Sequence, residues 1–193
     1  MLPLLTDGAT TMLLGDGAAA HTRQASSDDF PLIADLHGRC SPTSRTLRYG
    51  TDRTRLAPEQ WDRLVQRPRS RVLLTTPHGA PSRAVAMTCL APVPGEPDVC
   101  DVAMLIADVA PDNYQGRGLG TRLADHAADL ARELHFRALS VTSSPANWRV
   151  WQIVEHLGGP ALPHTAHLRT MALLGALPAV LDTDGAIVLR IPL

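Results

Sequence analysis

The chain has 193 residues, of which 45% are hydrophobic and 19% charged, and its formal net charge is −1. This length and composition predict one globular domain over residues 1–193, with a core of its own and residues 1–12 as a flexible extension. All 18 basic positions are arginine, and the lack of lysine excludes P-loop NTPases, pyridoxal-phosphate enzymes and conventional protein kinases.

Cysteine usage and the N-terminal segment predict a protein of the reducing cytoplasm. The three cysteines have no paired spacing, so a disulfide framework is not expected. Residues 1–14 lack the basic region that opens a signal peptide. No apolar run reaches the roughly 18 residues that a membrane-spanning helix needs, so we expect no membrane partner.

The arginines are concentrated in one stretch of the chain. Between Arg39 and Arg71 there are nine arginines and three acidic residues, a local net charge of 9 − 3 = +6. This stretch is either a solvated face that is balanced elsewhere in the fold or a surface for an anionic partner. The overall charge of −1 does not favour a nucleic-acid partner, and we expect none.

The first half of the chain is predicted to begin with a hairpin and to continue with two helices and two strands. Residues Ser26 to Asp29 offer N-cap side chains for the first helix, and Ser41–Ser44 is expected to break it. Pro92, Pro94 and Pro97 predict a stiff loop. The predicted elements are a hairpin turn at 13–18 leading into a strand at 20–23, helices at 30–37 and 58–66, and strands at 71–76 and 83–90.

The second half of the chain alternates between strands and helices. Residues 99–109 alternate in a period of two, which predicts a long strand. The apolar stripe from Leu119 to Leu134 predicts the longest helix. The predicted elements are a strand at 99–109, a helix at 118–135, a strand at 138–141, a helix at 146–157 and two terminal strands flanking 182–185. This order describes a single α+β or α/β-like domain.

The segment Pro111–Thr121 places several glycines between a strand and a helix. Such a turn lets backbone N–H groups converge, and the helix N-terminus adds partial positive charge there. The arrangement favours a phosphate or diphosphate ligand, although a purely structural tight turn is the alternative. A dinucleotide fingerprint would need glycine at 121, where Thr121 stands.

A longer pattern surrounds this turn. Gln115-x-x-Gly118-x-Gly120 follows a long strand and opens an amphipathic helix, and Asn147 stands eleven residues before Gly158. This combination resembles the GNAT superfamily of acyl-CoA N-acyltransferases. The resemblance implies a mixed, mostly antiparallel sheet of about six to seven strands flanked by helices, splayed between the fourth and fifth main strands.

The resemblance also implies acetyl-CoA as the co-substrate, and no metal. The loop amides would bind the diphosphate, Asn147 would meet the pantetheine arm, and an amide between Ala107 and Val109 would hold the thioester oxygen. Trp148 could pack on the cofactor, although a core or interface role is the alternative. The implied cofactor-binding residues are Ala107, Val109, Gln115, Gly116, Arg117, Gly118, Leu119, Gly120, Thr121 and Asn147.

The N-terminal half is similar to the bacterial branch that contains protein-lysine acetyltransferases. The residues concerned are Leu14 to Gly17, His21 to Arg23, and the stretch from Ser41-Pro-Thr-Ser44 to Arg48-Tyr49. The similarity implies a protein lysine as the acceptor, with a small amine as the alternative, and a monomer or homodimer. It assigns substrate binding to Ser44, Arg45 and Arg48.

A general base is needed because only about one lysine-type amine in 10³ is neutral at pH 7. In the similar branch a Glu on the central strand has this role, and Asp101 stands at the matching position. Asp108 and Asp112 are alternative bases, and Asp101 could instead be a solvent-facing strand residue. Val154 occupies the position of the tyrosine acid found in many relatives, but a thiolate can leave without an acid.

Three other interpretations remain open at this point. The chain could be a non-catalytic acyl-CoA-binding module, because Asp101 replaces Glu and Val154 replaces Tyr. The arginine-rich stretch could bind nucleic acid. His156, His164 and His167 cluster loosely, but they lack the spacing and the cysteine partners of a zinc site.

Overall fold

A computed structural model describes residues 9–51, 53, 55–159, 179–181 and 186–193. The strands are β1 (Thr10–Leu13), β2 (Ala19–Gln24), β3 (Arg71–Pro77), β4 (Ala86–Val93), β5 (Glu96–Ile106), β6 (Ala138–Ser143), β7 (Ala179–Leu181) and β8 (Ile187–Pro192). The helices are α1 (Phe30–Arg39), α2 (Pro42–Tyr49), α3 (Pro58–Val65), α4 (Leu119–Glu133) and α5 (Trp148–His156), and a short 3₁₀ turn covers Ser27–Asp29.

The sheet is mixed and mostly antiparallel, as predicted. Its strand order is β1-β2-β3-β4-β5-β6-β8-β7. The described residues form eight strands, one more than the upper end of the prediction, because β1 is a strand in its own right beside β2. Among these residues, no helix has both the length and the apolarity needed to cross a membrane.

The chain groups into two compact units. The first consists of Met1–Cys89 and Met104–Leu123, and the second of Leu90–Ala103 and Ala124–Leu193. The second unit contains the parallel pairing of β5 with β6 and the antiparallel pairing of β6 with β8. The terminal strands β7 and β8 lie on either side of residues 182–185, as the sequence predicts.

The described residues of the first unit form two apolar cores. One contains Ile33 and Leu36 of α1 together with Trp61 of α3, whose ring nitrogen donates a hydrogen bond to the Ser26 carbonyl at 3.1 Å. The other contains Leu119 and Leu123, one helical turn apart at the start of α4, with residues of β1 and β2. Burial of this first turn anchors α4, and therefore the loop before it, to the strands.

Helix α2 was not predicted. The segment Ser41–Ser44 was expected only to break α1, but Ser41 is also the N-cap of a new helix and Pro42 its first residue. The Ser41 side chain accepts a hydrogen bond from the Ser44 amide at 3.1 Å, which satisfies an otherwise unpaired N–H group. The helix ends at Tyr49 and is capped by Gly50, whose φ is 73°.

The proline-rich loop predicted at residues 92–97 is a tight hairpin turn. Pro92 lies within β4 and Pro97 within β5, and only Pro94 and Gly95 separate the two strands. Gly95 has a φ of 81°, so proline followed by a left-handed glycine turns the chain in two residues. The strand predicted at 83–90 accordingly runs from Ala86 to Val93.

Strand β5 does not keep the regular alternation that was predicted through Val109. Cys100 and Val102 are buried, and the next buried positions are Leu105 and Ala107. The phase therefore slips by one residue between Val102 and Leu105, as a β-bulge would make it do. The strand ends at Ile106, so the chain leaves the sheet three residues before the predicted end.

Buried His37 in α1 predicts a loss of stability in mild acid. Its ring bonds to the Tyr49 hydroxyl at 2.7 Å, and burial, assisted by the charge of Arg48, lowers the pKa of His37 to about 4. An unfolded histidine has a pKa of about 6.5, so from there down to about pH 4 the unfolded chain takes up a proton that the folded chain refuses. Stability present above pH 6.5 is therefore lost as the pH falls.

The expected loss from this residue is about 3 kcal/mol between pH 7 and pH 4. Urea unfolding followed across this range should show a steeper fall for the wild type than for His37→Gln, which keeps a polar group for Tyr49. Parallel curves for the two proteins between pH 6.5 and pH 4 would contradict the assignment.

Candidate functional site

The loop before α4 carries two glycines with positive φ and a run of backbone amides that the described part of the chain leaves unpaired. Gly116 and Gly118 have φ values of 75° and 83°, and Arg117 between them does not have a positive φ. Within the described residues, the amides of positions 116–120 have no hydrogen-bond partner. Alternating handedness turns successive N–H groups towards one point, and the N-terminus of α4 adds its dipole. The loop can therefore bind an anion such as a diphosphate.

Gln115 fixes the entrance to this loop. Its side-chain nitrogen donates to the Ser44 hydroxyl at 3.0 Å and to the Ile106 carbonyl at 3.3 Å. Its backbone amide donates to the Asn113 side chain at 3.0 Å. The Gln115 side chain thus joins the start of α2 to the end of β5, while the amides that follow it stay free.

The end of β5 offers the Val109 amide for a developing oxyanion. The Ala107 amide donates to the Val85 carbonyl at 2.9 Å, and the Ala107 carbonyl accepts from the Tyr114 amide at 2.8 Å. The N–H and the C=O group of Ala107 are therefore both engaged in hydrogen bonds within the fold. Val109 is 45% exposed, and among the described hydrogen bonds none involves its amide. Of the two positions predicted from the sequence, Val109 is the better donor.

Asp108 holds the N-terminus of α2. Its carboxylate accepts hydrogen bonds from the Ser41 amide at 2.8 Å, from the Ser41 hydroxyl, and from the Ser44 hydroxyl at 2.8 Å. Burial alone would raise the pKa of Asp108, but these hydrogen bonds outweigh it and keep the pKa below its ordinary value. A carboxylate stabilised in this way is a weak base, and its evident contribution is to place α2.

Asp112 is also held by neighbouring groups. It accepts hydrogen bonds from Arg83, and from Arg39 at 2.9 Å. The hydrogen bond from Arg83 is the main reason that the pKa of Asp112 lies below its ordinary value. Both of the alternative bases named from the sequence are therefore engaged in contacts that disfavour proton uptake.

Asp101 lies in the second unit, where the β5–β6 ladder ends. The parallel ladder joins Val99 to Ala138, Cys100 to Leu139 and Asp101 to Ser140. Beyond these three pairs β5 continues to Ile106 and β6 to Ser143, and no further pair joins the two strands among the described residues. The two strands part immediately after Asp101, in agreement with the predicted splay between the fourth and fifth main strands.

A polar row runs across the sheet from Asp101. Ser140 pairs with Asp101 on one side and with Arg190 of β8 on the other, so the three side chains share one face. Arg190 donates to the Ser140 hydroxyl at 2.6 Å and to the Glu96 carboxylate at 2.7 Å. Asp101 therefore lies in a polar row, while Cys100 and Val102 beside it are buried on the opposite face.

Asn147 is the N-cap residue of α5. Its side-chain nitrogen donates to the Ser143 hydroxyl at 3.0 Å, which joins the helix start to the end of β6. Trp151 is buried and donates to the Pro145 carbonyl at 3.2 Å, so it is a core residue. Trp148 is 50% exposed, and the Arg149 guanidinium lies over its ring, 5.0 Å from the ring centre.

The three residues assigned to the acceptor have different surroundings. Ser44 belongs to the hydrogen-bond network of Asp108 and Gln115. Arg48 lies over the Tyr49 ring, 4.8 Å from its centre. Arg45 is buried and donates to the Cys40 carbonyl at the end of α1. The guanidinium of Arg45 thus satisfies a carbonyl that the turn between α1 and α2 leaves without a helical partner.

Two features of this region were missed from the sequence. Ser41 is predicted only to break a helix, although its place before Pro42 is a known N-cap signal. Asp16 was seen only as a turn residue, yet it bonds to the Arg117 side chain at 2.6 Å. Of the loosely clustered histidines, His156 bonds to Asp125 at 2.8 Å, and His164 and His167 lie outside the described residues.

The acetyltransferase (GNAT) family model matches residues 32–158, and the chain belongs to this family. The fold agrees with the GNAT domain of S. lividans PAT, at 21% identity over 100% of both chains and a TM-score of 0.76. It also agrees with yncA from Salmonella typhimurium, a structure with its cofactor acetyl-CoA, at 18% identity over 73% of this chain and 79% of that chain, with a TM-score of 0.59.

A third similar structure is the ribosomal-protein-S5-alanine acetyltransferase from Vibrio fischeri. It shares 14% identity over 72% of this chain and 78% of that chain, with a TM-score of 0.59. No curated protein matches the chain. At these identities the structures agree in fold, and the family match makes the chain a GNAT N-acetyltransferase that moves an acyl group from CoA to an amine.

Proposed function

We propose that the chain, acting as one domain over residues 1–193, transfers an acetyl or other short acyl group from acyl-CoA to a protein lysine by direct attack in a ternary complex. The free amides of positions 116–120 at the start of α4 are the observation that carries this proposal. They suit the two phosphates of CoA, because each free N–H is a hydrogen-bond donor and the helix dipole favours negative charge. Asn147 and the exposed face of Trp148 would meet the remainder of the cofactor.

The reaction needs an amine that has lost its proton. Asp101, directly or through a water molecule, would accept that proton as the amine nitrogen attacks the thioester carbonyl. The Val109 amide would donate to the carbonyl oxygen as it becomes negative. The new C–N bond forms, the C–S bond breaks and the sulfur leaves as a thiolate; the nitrogen, which becomes an amide, gives up its second proton, and the thiolate takes that proton up. Because a thiol has a pKa of about 8.5, the thiolate can leave without an acid at the position of Val154.

Charge favours a protein acceptor over a cationic polyamine. Arg53, Arg55, Arg63, Arg67 and Arg69 are all exposed. Arginines at such density repel a polycationic small molecule and attract a lysine that has acidic neighbours. The setting that we expect is the reducing cytoplasm, in which the buried residues Cys40, Cys89 and Cys100 stay as thiols. A monomer or a homodimer is compatible with this activity.

The experiment is a screen for acceptor-dependent release of free CoA thiol from acetyl-CoA. Small amines and candidate proteins would be tested side by side, followed by detection of acetyl-lysine on the protein acceptors. The chain itself contains no lysine, so an acetyl-lysine signal cannot come from self-modification. Its three cysteines are buried, which keeps the thiol background low.

Turnover with a protein and acetyl-lysine on that protein would support the proposal. Turnover with small amines alone would replace the acceptor by a small molecule and leave the acyl transfer intact. Binding of acetyl-CoA without turnover on either group of acceptors would contradict acyl transfer by this chain.

A further inference from the structure

The tip of the β1–β2 hairpin is bonded to the outside of the anion-binding loop. The Gly15 amide donates to the Arg117 carbonyl at 2.9 Å, although about 100 positions separate the two residues in the chain. A side-chain carbon added to Gly118 would lie 3.7 Å from the Gly15 nitrogen. The two backbone segments are therefore in van der Waals contact.

The Arg117 side chain makes the same connection. Its Nε donates to the Asp16 carboxylate at 2.6 Å, and its guanidinium lies 4.3 Å from the centre of the Tyr114 ring. The hydrogen bond from Arg117 lowers the pKa of Asp16, so the carboxylate is charged at neutral pH. Asp16 also accepts from the Ala18 amide at 3.1 Å, which orients it within the hairpin turn.

The direction of the Gly118 amide follows from these contacts. A trans peptide unit is planar, with its C=O and N–H groups pointing in opposite directions. The Arg117 carbonyl and the Gly118 amide belong to the same unit. Because the hairpin holds this carbonyl, the Gly118 N–H points away from the Gly15 amide of the hairpin.

We propose that Asp16 and Arg117 are positioning residues for the acyl-CoA loop, and that Arg117 acts by holding the loop to the hairpin tip, without contacting the phosphates. The inference rests on the proposed function only in assuming that the loop binds the CoA diphosphate. The ion pair itself is partly exposed, so by itself it adds little to the stability of the fold. Its effect appears in binding, because free rotation of the 117–118 peptide unit would have to be frozen when the ligand arrives.

A double-mutant cycle tests this arrangement. The dissociation constant of acetyl-CoA would be measured by calorimetry for the wild type, Asp16→Asn, Arg117→Gln and the double variant. Each single change is expected to weaken binding by about three- to tenfold, and the double variant should be no weaker than either single one. The thermal unfolding midpoint without ligand should change little in all three variants.

Asp129→Asn is the matched control. It removes another exposed Arg–Asp pair, Arg132–Asp129, whose atoms are 2.8 Å apart and which lies outside the loop and the hairpin. This variant should bind acetyl-CoA as the wild type does. Once an acceptor is known, steady-state kinetics should show a raised KM for acetyl-CoA in Asp16→Asn, with kcat unchanged.

A direct contact between Arg117 and the phosphates would give a different result. If its guanidinium contacts the phosphates, Arg117→Gln weakens binding while Asp16→Asn leaves it unchanged or tightens it, because the arginine is released. That pattern, or strictly additive losses, would overturn the proposal. A wild type that does not bind acetyl-CoA at all would instead contradict the proposed function, so the two failures are distinguishable.

Discussion

Gly118→Val is expected to weaken acetyl-CoA binding by about 100-fold or more, which corresponds to about 2.7 kcal/mol. Gly118 has a φ of 83°, a conformation that costs a β-branched residue about 1–3 kcal/mol. The variant would relieve this strain by rotating the peptide units on either side, and the neighbouring N–H groups would then no longer converge. Calorimetric titration with acetyl-CoA measures the loss directly.

Gly79→Val separates this effect from general destabilisation. Gly79 has a φ of 78° and lies in the turn after β3, and an added side-chain carbon there meets nothing within 4 Å. The two substitutions impose the same kind of backbone strain, so both should lower the thermal unfolding midpoint. Only Gly118→Val should lose the ligand. Wild-type affinity for acetyl-CoA in Gly118→Val would show that the loop is not part of the binding site.

The loop conformation was readable from the sequence because it depends on local backbone geometry. Glycines at 116 and 118 between a strand and a helix predict a turn that lets backbone N–H groups converge, and both glycines have the positive φ values that glycine adopts readily. The partners of the loop were not readable in the same way. Asp16 is 101 positions from Arg117, and nothing in a turn sequence indicates which distant side chain it will contact.

Helix α2 shows a different limit. Ser41 and Pro42 both end one helix and begin another, so the local sequence is compatible with a break or with a start. The deciding contact is the Asp108 carboxylate, 67 positions away, which accepts from the Ser41 amide. A helix of eight residues is too short to be stable alone, so this tertiary contact selects the second outcome.

The composition of β5 does not reveal the one-residue change in its alternation of buried side chains. On both sides of the slip the strand carries apolar residues, and both faces of its later half are covered, with Leu105 in one core and Met104 and Ile106 against the other. When both faces are apolar, a period of two carries no information about which face a residue takes. The predicted strand is therefore correct in its position but extends beyond Ile106, where β5 ends.

Asp101→Asn is expected to lower kcat by about 100-fold or more and to leave the affinity for acetyl-CoA unchanged, because a general base contributes about 10²–10⁴ to the rate. The asparagine keeps the shape of the side chain and its place beside Ser140, but it cannot accept the proton that the acceptor's ammonium group must lose before the neutral amine attacks. Steady-state kinetics with the acceptor found in the screen, combined with calorimetry, separates the two effects. Asp101→Glu should stay active, because it keeps the carboxylate and needs no bridging water to reach the acceptor.

Asp98→Asn is the matched control, since Asp98 is an exposed carboxylate three positions earlier on the same strand. It should keep wild-type kcat.

Asp108→Asn should act through the fold, lowering the unfolding midpoint, because Ser41 and Ser44 lose the charged acceptor that holds the start of α2. Full activity in Asp101→Asn, together with a lost kcat and an unchanged unfolding midpoint in Asp108→Asn, would transfer the role of base to Asp108. For Asp108 to act as the base, a bound substrate would have to displace the hydroxyls of Ser41 and Ser44 from its carboxylate. Loss of these hydrogen bonds would raise the pKa of Asp108 towards its ordinary value.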